Sequence, residues 1–211
     1  MSIETTEQIL SDDFKTNQAT VAGFVKNDAS GNFLFGESGS GWNLLETKNV
    51  ASDVASITFS GLDGDTDRAY RLVYRLTMKP GEASNEISLR PNGISTNMFS
   101  MIHRASSSGS FNVVTRSELS LVQHGGVIAV PFPYFGIADF WAERFGTTGH
   151  RMFMAYQSTF NVQTGNVALR NTMGRWLETA TNVTSLVVQS TLGTNVPAGS
   201  SWSLYVVKQT P

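Results

Sequence analysis

The chain has 211 residues, 40% hydrophobic and only 15% charged, with thirteen Phe, five Tyr and four Trp, so it can bury one sizeable core. Its net charge is −2 and no Lys/Arg cluster appears, which removes the basic stripe needed to neutralise nucleic-acid phosphates. The absence of Cys excludes disulfides, thiolate metal sites and cysteine nucleophiles.

Residues 1–50 read as an N-terminal arm. The opening MSIETTEQILSDDF carries acids where a secretory signal needs a basic and then an apolar region. No apolar run approaches the ~20 residues of a membrane span, so synthesis in the cytosol without membrane insertion is expected. TTEQILSDDF (5–14) predicts one short helix with Ile9, Leu10 and Phe14 on one side. DASGN (28–32) and GESGSG (36–41) then mark turns or joints. Phe24, Phe33 and Phe35 are too apolar for a solvated tail and are candidates for packing on the chain's own domain or on another subunit.

From residue 51 to 211 the β signals become regular. Ten short segments, from SDVASITFS (52–60) and RAYRLVYRLTM (68–78) to NVTSLVVQS (182–190) and SWSLYVV (201–207), are rich in β-branched and aromatic residues and bounded by turn residues. Tyr70, Leu72, Tyr74 and Leu76 share one face of their strand, with Arg71 and Arg75 on the other. Trp202, Leu204 and Val206 repeat that alternation. IADFWAERFG (137–146) fits a helix or a bent strand. So many strands without an internal repeat predict an all-β fold, an antiparallel β-sandwich of jelly-roll type.

GLDGDTDRAY (61–70) holds Asp63, Asp65 and Asp67 at alternate positions, as a calcium loop does. Counted from Asp63, however, the sixth position is Arg68 and the twelfth is Tyr74, where a calcium loop needs Gly and a bidentate Glu. A hairpin tip between ITF and AYRLVYRL explains the aspartates better, since Asp tolerates turn geometry. His103, His124 and His150 have no second ligand three or four residues away. No metal, cofactor or catalytic residue is therefore expected. GESGSG lacks the register of G-x-S-x-G. Asp139 and Glu143 are the nearest candidates for a glycosidase carboxylate pair. Asn182-Val183-Thr184 matches a glycosylation sequon, read as chance without a secretory signal.

PFPYFGIADFWAERFG packs Tyr134, Phe135, Phe140 and Trp141 into one stretch. Aromatic rings beside Asp, Glu and Arg suit sugar stacking, and they equally suit a core or a subunit interface. Tyr134 and Trp141 are the candidate glycan-facing residues.

SITFSGLDGDTDRAYRLVYRL (56–76) with RPNG (90–93), and GTNVPAGSSWSLYVV (193–207), resemble stretches of small all-β virion proteins of tailed bacteriophages. These are capsid-decoration, head-fibre or tail-fibre proteins, and FVKNDASGNFLFG (24–36) is similar to the arm that precedes their β-domain. The resemblance implies a non-enzymatic virion component made in the bacterial cytoplasm, commonly a homotrimer, with its arm attached to other virion proteins. A jelly-roll module that binds host surface glycan is the alternative expectation.

Overall fold

The computed structural model describes residues 26–27, 33–34, 41–78, 84–106, 111–125, 132–143, 149–161, 166–178, 181–191 and 195–208. It comprises two compact units. The first, Met1–Gly41 with Thr210–Pro211, contains an antiparallel pair, β1 (Lys26–Asn27) and β2 (Phe33–Leu34), in which Phe33 lies opposite Asn27. The helix expected over 5–14, together with Phe24 and Phe35, lies outside the described residues.

The second unit, Trp42–Gln209, is all-β. Its larger sheet runs, edge to edge, β3 (Asn43–Asn49), β14 (Ser201–Lys208), β5 (Asp67–Met78), β10 (Phe132–Trp141), β11 (Arg151–Asn161), β12 (Asn166–Trp176), β7 (Met98–Ser106) and β8 (Phe111–Arg116). The smaller sheet runs β4 (Ser56–Ser60), β13 (Ser185–Ser190), β6 (Ser84–Pro91) and β9 (Leu119–Gly125). Every pairing is antiparallel. No helix among the described residues is long and apolar enough to cross a membrane. Strand β3 falls inside the 1–50 segment that the sequence reading assigns to the arm.

Side chains two apart along a strand share a face, so one alternate set from each sheet makes the core. Tyr70, Leu72, Tyr74 and Leu76 of β5 are buried, as their spacing predicts, and so are Trp202, Leu204 and Val206 of β14. The smaller sheet answers with Ile57, Phe59, Leu89, Leu186 and Val188. Each such side chain contributes about 1.5–3 kcal/mol by leaving water. Tyr74 joins the two sheets: its ring stacks on Trp202 at 4.8 Å and its hydroxyl donates to the Leu121 carbonyl of β9 at 2.9 Å. The ring passes directly under Gly136, where an added Cβ would stand 2.2 Å from it. Glycine on β10 is what lets the tyrosine cross.

Two sequence expectations change. The stretch 137–146 is strand as far as Trp141, the end of β10. GLDGD is not a hairpin tip, because β4 and β5 belong to different sheets, and the segment instead carries the chain from one sheet to the other. It is a tight turn all the same. Thr66 and Asp67 donate their N–H groups to the Asp63 carbonyl at 3.1 and 2.8 Å. Gly64 lies against Val183, 2.7 Å from where a Cβ would sit. The Asp63 carboxylate accepts from Asn182 Nδ2 at 2.9 Å and from Thr66 Oγ1 at 2.9 Å. RPNG clasps the stretch on which GLDGD packs: Asn92, at φ 53°, accepts from the Thr184 and Ser185 N–H groups at 2.8 and 3.1 Å.

Arg151 is wholly buried. Its guanidinium donates to three loop carbonyls, Ala142 at 2.9 Å, Glu178 at 3.1 Å and Thr181 at 2.8 Å, and lies 5.2 Å from the Trp176 ring centroid. This side chain ties the loops after β10 and β12 together.

Candidate contact surface

The aromatic stretch 132–141 is one strand, and alternation divides its residues between two environments. Tyr134, Ala138 and Phe140 point inward and are buried, with Gly136 between them. Phe135 and Ile137 point outward and are exposed at 50% and 41%, with Asp139 and Trp141 following on the same face. Tyr134 therefore cannot stack on a glycan: its ring is 0% exposed. Trp141 is half-buried at the end of the outward series.

Across the larger sheet, Val73, Ile137, Tyr156, Asn171, His103 and Val113 stand side by side on β5, β10, β11, β12, β7 and β8. The next row holds Phe135, Ser158, Leu169 and Ala105. These two rows, Val113 excepted, line an open groove of about 680 Å³ on the outer face. Its walls are largely apolar side chains, with Tyr156 at 48% and Leu169 at 55% exposure, and its polar lining includes Asn171, Ser158, Gln157 and His103. Among the described residues no carboxylate lines it, and Arg104 of the lining occupies an inward position of β7. Beyond the groove, Met173, Met152 and Phe99 are also exposed, with the exposed Arg175 between Met152 and Phe99. Exposed apolar side chains clustered around a groove mark a candidate contact site on a protein surface.

The other charged candidates are committed within the chain. Asp139 accepts both Nε and Nη2 of Arg71, at 2.7 and 2.8 Å, and Arg71 lies 4.3 Å from the Trp42 ring centroid. That carboxylate pairing holds the arginine above its ordinary pKa. Glu143 pairs with Arg68 at 3.8 Å. Of the three aspartates in GLDGD and its flank, Asp63 is bound as described, and Asp67 is buried against the Tyr70 hydroxyl and Lys208 Nζ. Burial, then the hydrogen bond to Asp67, pushes the Tyr70 hydroxyl far above the usual phenol range. No group of three or more His, Asp or Glu that could hold an ion gathers among the described residues.

The sequence reading missed Phe135, Tyr156 and Leu169 as surface residues. Period-two spacing along PYFGIADFW separates Tyr134 from Phe135, but both faces of β10 are apolar, so the spacing alone gives no inside or outside. Comparison of the chain with protein-family models, curated proteins and solved structures finds no match.

Proposed function

We propose that this chain is a non-enzymatic bacteriophage virion structural protein, capsid-decorating or fibre-like, that works as a homotrimer attached through its N-terminal arm. The observation that carries the reading is the outer face of the larger sheet, where Phe135, Ile137, Tyr156, Leu169 and Met173 present an exposed apolar surface, bordered by Arg75 and Arg175, suited to packing between subunits. The β-sandwich is read here as a jelly roll, on the strength of its strand order. β3-β14-β5-β10 and β4-β13-β6-β9 interleave early and late strands, as two Greek keys do. The pairs β7–β8 and β11–β12 enter as inserted hairpins that widen the larger sheet beyond β10. Jelly rolls build capsids and lectins alike, so the fold alone does not choose between them.

Two measurements test this. Light scattering of the purified chain should give three times the chain mass. Gold-labelled antibody should decorate particles purified from a lysate of the strain that carries the gene. A monomer, with all antigen outside the particle fraction, refutes the proposal.

The second reading, a host-glycan module, is favoured by the exposed rings of Phe135 and Tyr156 beside Asn171, Ser158 and His103. A glycan array on which Tyr156→Ala abolishes the signal supports it; an array without hits removes it.

A further inference from the structure

The chain contains one Asn-Gly dipeptide, Asn92-Gly93, and one Asp-Gly dipeptide, Asp63-Gly64. In both, the backbone nitrogen that follows the side-chain carbonyl has no Cβ beside it, so its attack on that carbonyl meets little obstruction. The fold brings both dipeptides onto one short stretch, residues 182–185, which leads into β13.

Asn92 and Gly93, at φ 53° and 69°, form the centre of a turn in which the Ile94 N–H donates to the Pro91 carbonyl at 3.0 Å. Positive φ at both places is what selects Asn-Gly there. The Asn92 side chain is engaged at both of its polar atoms. Nδ2 donates to the Asn182 carbonyl at 2.7 Å, and Oδ1 accepts from the Thr184 and Ser185 N–H groups and from Thr184 Oγ1 at 3.3 Å. The Asn92 N–H donates to the Ser185 carbonyl at 2.9 Å, and the Gly93 N–H to the Arg90 carbonyl at 3.2 Å. Asp63-Gly64 is held in the same manner. Asn182 Nδ2 donates to the carboxylate, and the Gly64 N–H donates to the Val183 carbonyl at 3.0 Å. Val183 itself is wholly buried.

For Gly93 N to reach Asn92 Cγ, the amide must first let go of residues 182–185. Local openings of this kind have their own free energy, and the reaction proceeds only from the open population. There Gly93 N bonds to Asn92 Cγ and gives up its proton, the Cγ–Nδ2 bond breaks, and ammonia leaves. Water then opens the succinimide at either carbonyl, to aspartate or isoaspartate. At Asp63 the same attack by Gly64 N expels water in place of ammonia. Neither product at residue 92 can close as before. Aspartate sets a carboxylate oxygen against the Asn182 carbonyl oxygen, two acceptors with no hydrogen between them. Isoaspartate routes the backbone through the side chain and loses the turn.

We propose that Asn92 is a deamidation site gated by residues 182–185, with Asp63 an isomerisation site under the same gate. A transient opening of that stretch thereby leaves a permanent change.

The test incubates the full chain at mildly alkaline pH, folded and in concentrated guanidinium chloride, and follows residues 92 and 63 by peptide mapping. Asn92 should deamidate at least about 30-fold more slowly in the folded chain, to a mixture of aspartate and isoaspartate. Val183→Ala loosens the gate and should raise the folded-state rate several-fold at both residues. Val113→Ala, on the exposed face of the edge strand β8, should leave it unchanged. Should Val183→Ala fail to fold, Thr184→Val removes only the hydroxyl donor to Asn92 and should still raise the rate there. Asn92→Asp, the encoded form of one product, should melt at least about 4 °C below the parent near neutrality. Equal rates in the folded and unfolded chain, a folded-state rate that neither gate variant raises, or an Asn92→Asp chain as stable as the parent overturns the proposal.

Discussion

The two faces of the larger sheet use the same strands to opposite ends. Inward, Trp202, Tyr74, Phe140 and Trp176 are buried to within 3% exposure, and the smaller sheet closes over them. Outward, Phe135, Ile137, Tyr156 and Leu169 are just as apolar, yet each keeps two-fifths or more of its surface open. A single residue step along β10 moves a side chain from one set to the other. The inner set holds the fold together, while the outer set adds little to the stability of one chain and is free to serve contacts between chains.

Substitutions can break or sharpen that contrast. Trp202→Ala, at the centre of the inner set, should cost about 3–5 kcal/mol in urea unfolding, from lost burial and a cavity beside Tyr74. Arg151→Met keeps the volume but leaves three loop carbonyls without their donor, and should cost about 2–4 kcal/mol by the same measurement. Gly136→Ala pushes a methyl into the Tyr74 ring and should cost about 1–3 kcal/mol, as overpacking does. On the outer face, Leu169→Glu should change chain stability by only about 0.5 kcal/mol or less. It should nonetheless reduce the light-scattering mass to that of one chain, and if it unfolds the protein instead, the division between the faces is wrong.

The smallest effect is expected at Asp63. Its hydrogen bond from Asn182, then that from Thr66, holds the carboxyl below the ordinary aspartate range. A depressed carboxylate stabilises the fold above the unfolded pKa, and the contribution is lost as pH falls through the folded one. The stability advantage of the parent over Asp63→Asn should therefore be constant near neutrality and shrink below about pH 4 in a series of melting curves.

The all-β architecture was legible in the sequence because strands such as β5 and β14 alternate cleanly between apolar and polar residues. Strand β3 was not, since NLLETKN is exposed along nearly its whole length and carries no one-sided pattern. GLDGD was legible as a turn, but which sheets it joins depends on pairings far along the chain. The groove residues were in view as an aromatic stretch, but a strand with two apolar faces does not declare which one the second sheet covers.

The position of β14 also bears on when the fold can be completed. This strand lies between β3 and β5, pairing Ser201 with Asn49 on one side and with Arg75 on the other. An early strand and the long central one thus wait for a partner more than a hundred residues downstream before the larger sheet is continuous. Non-local pairing of this kind folds slowly, and until residues 201–208 have left the ribosome β5 keeps one edge open. During that interval the nascent chain is at its most vulnerable to pairing with a neighbour.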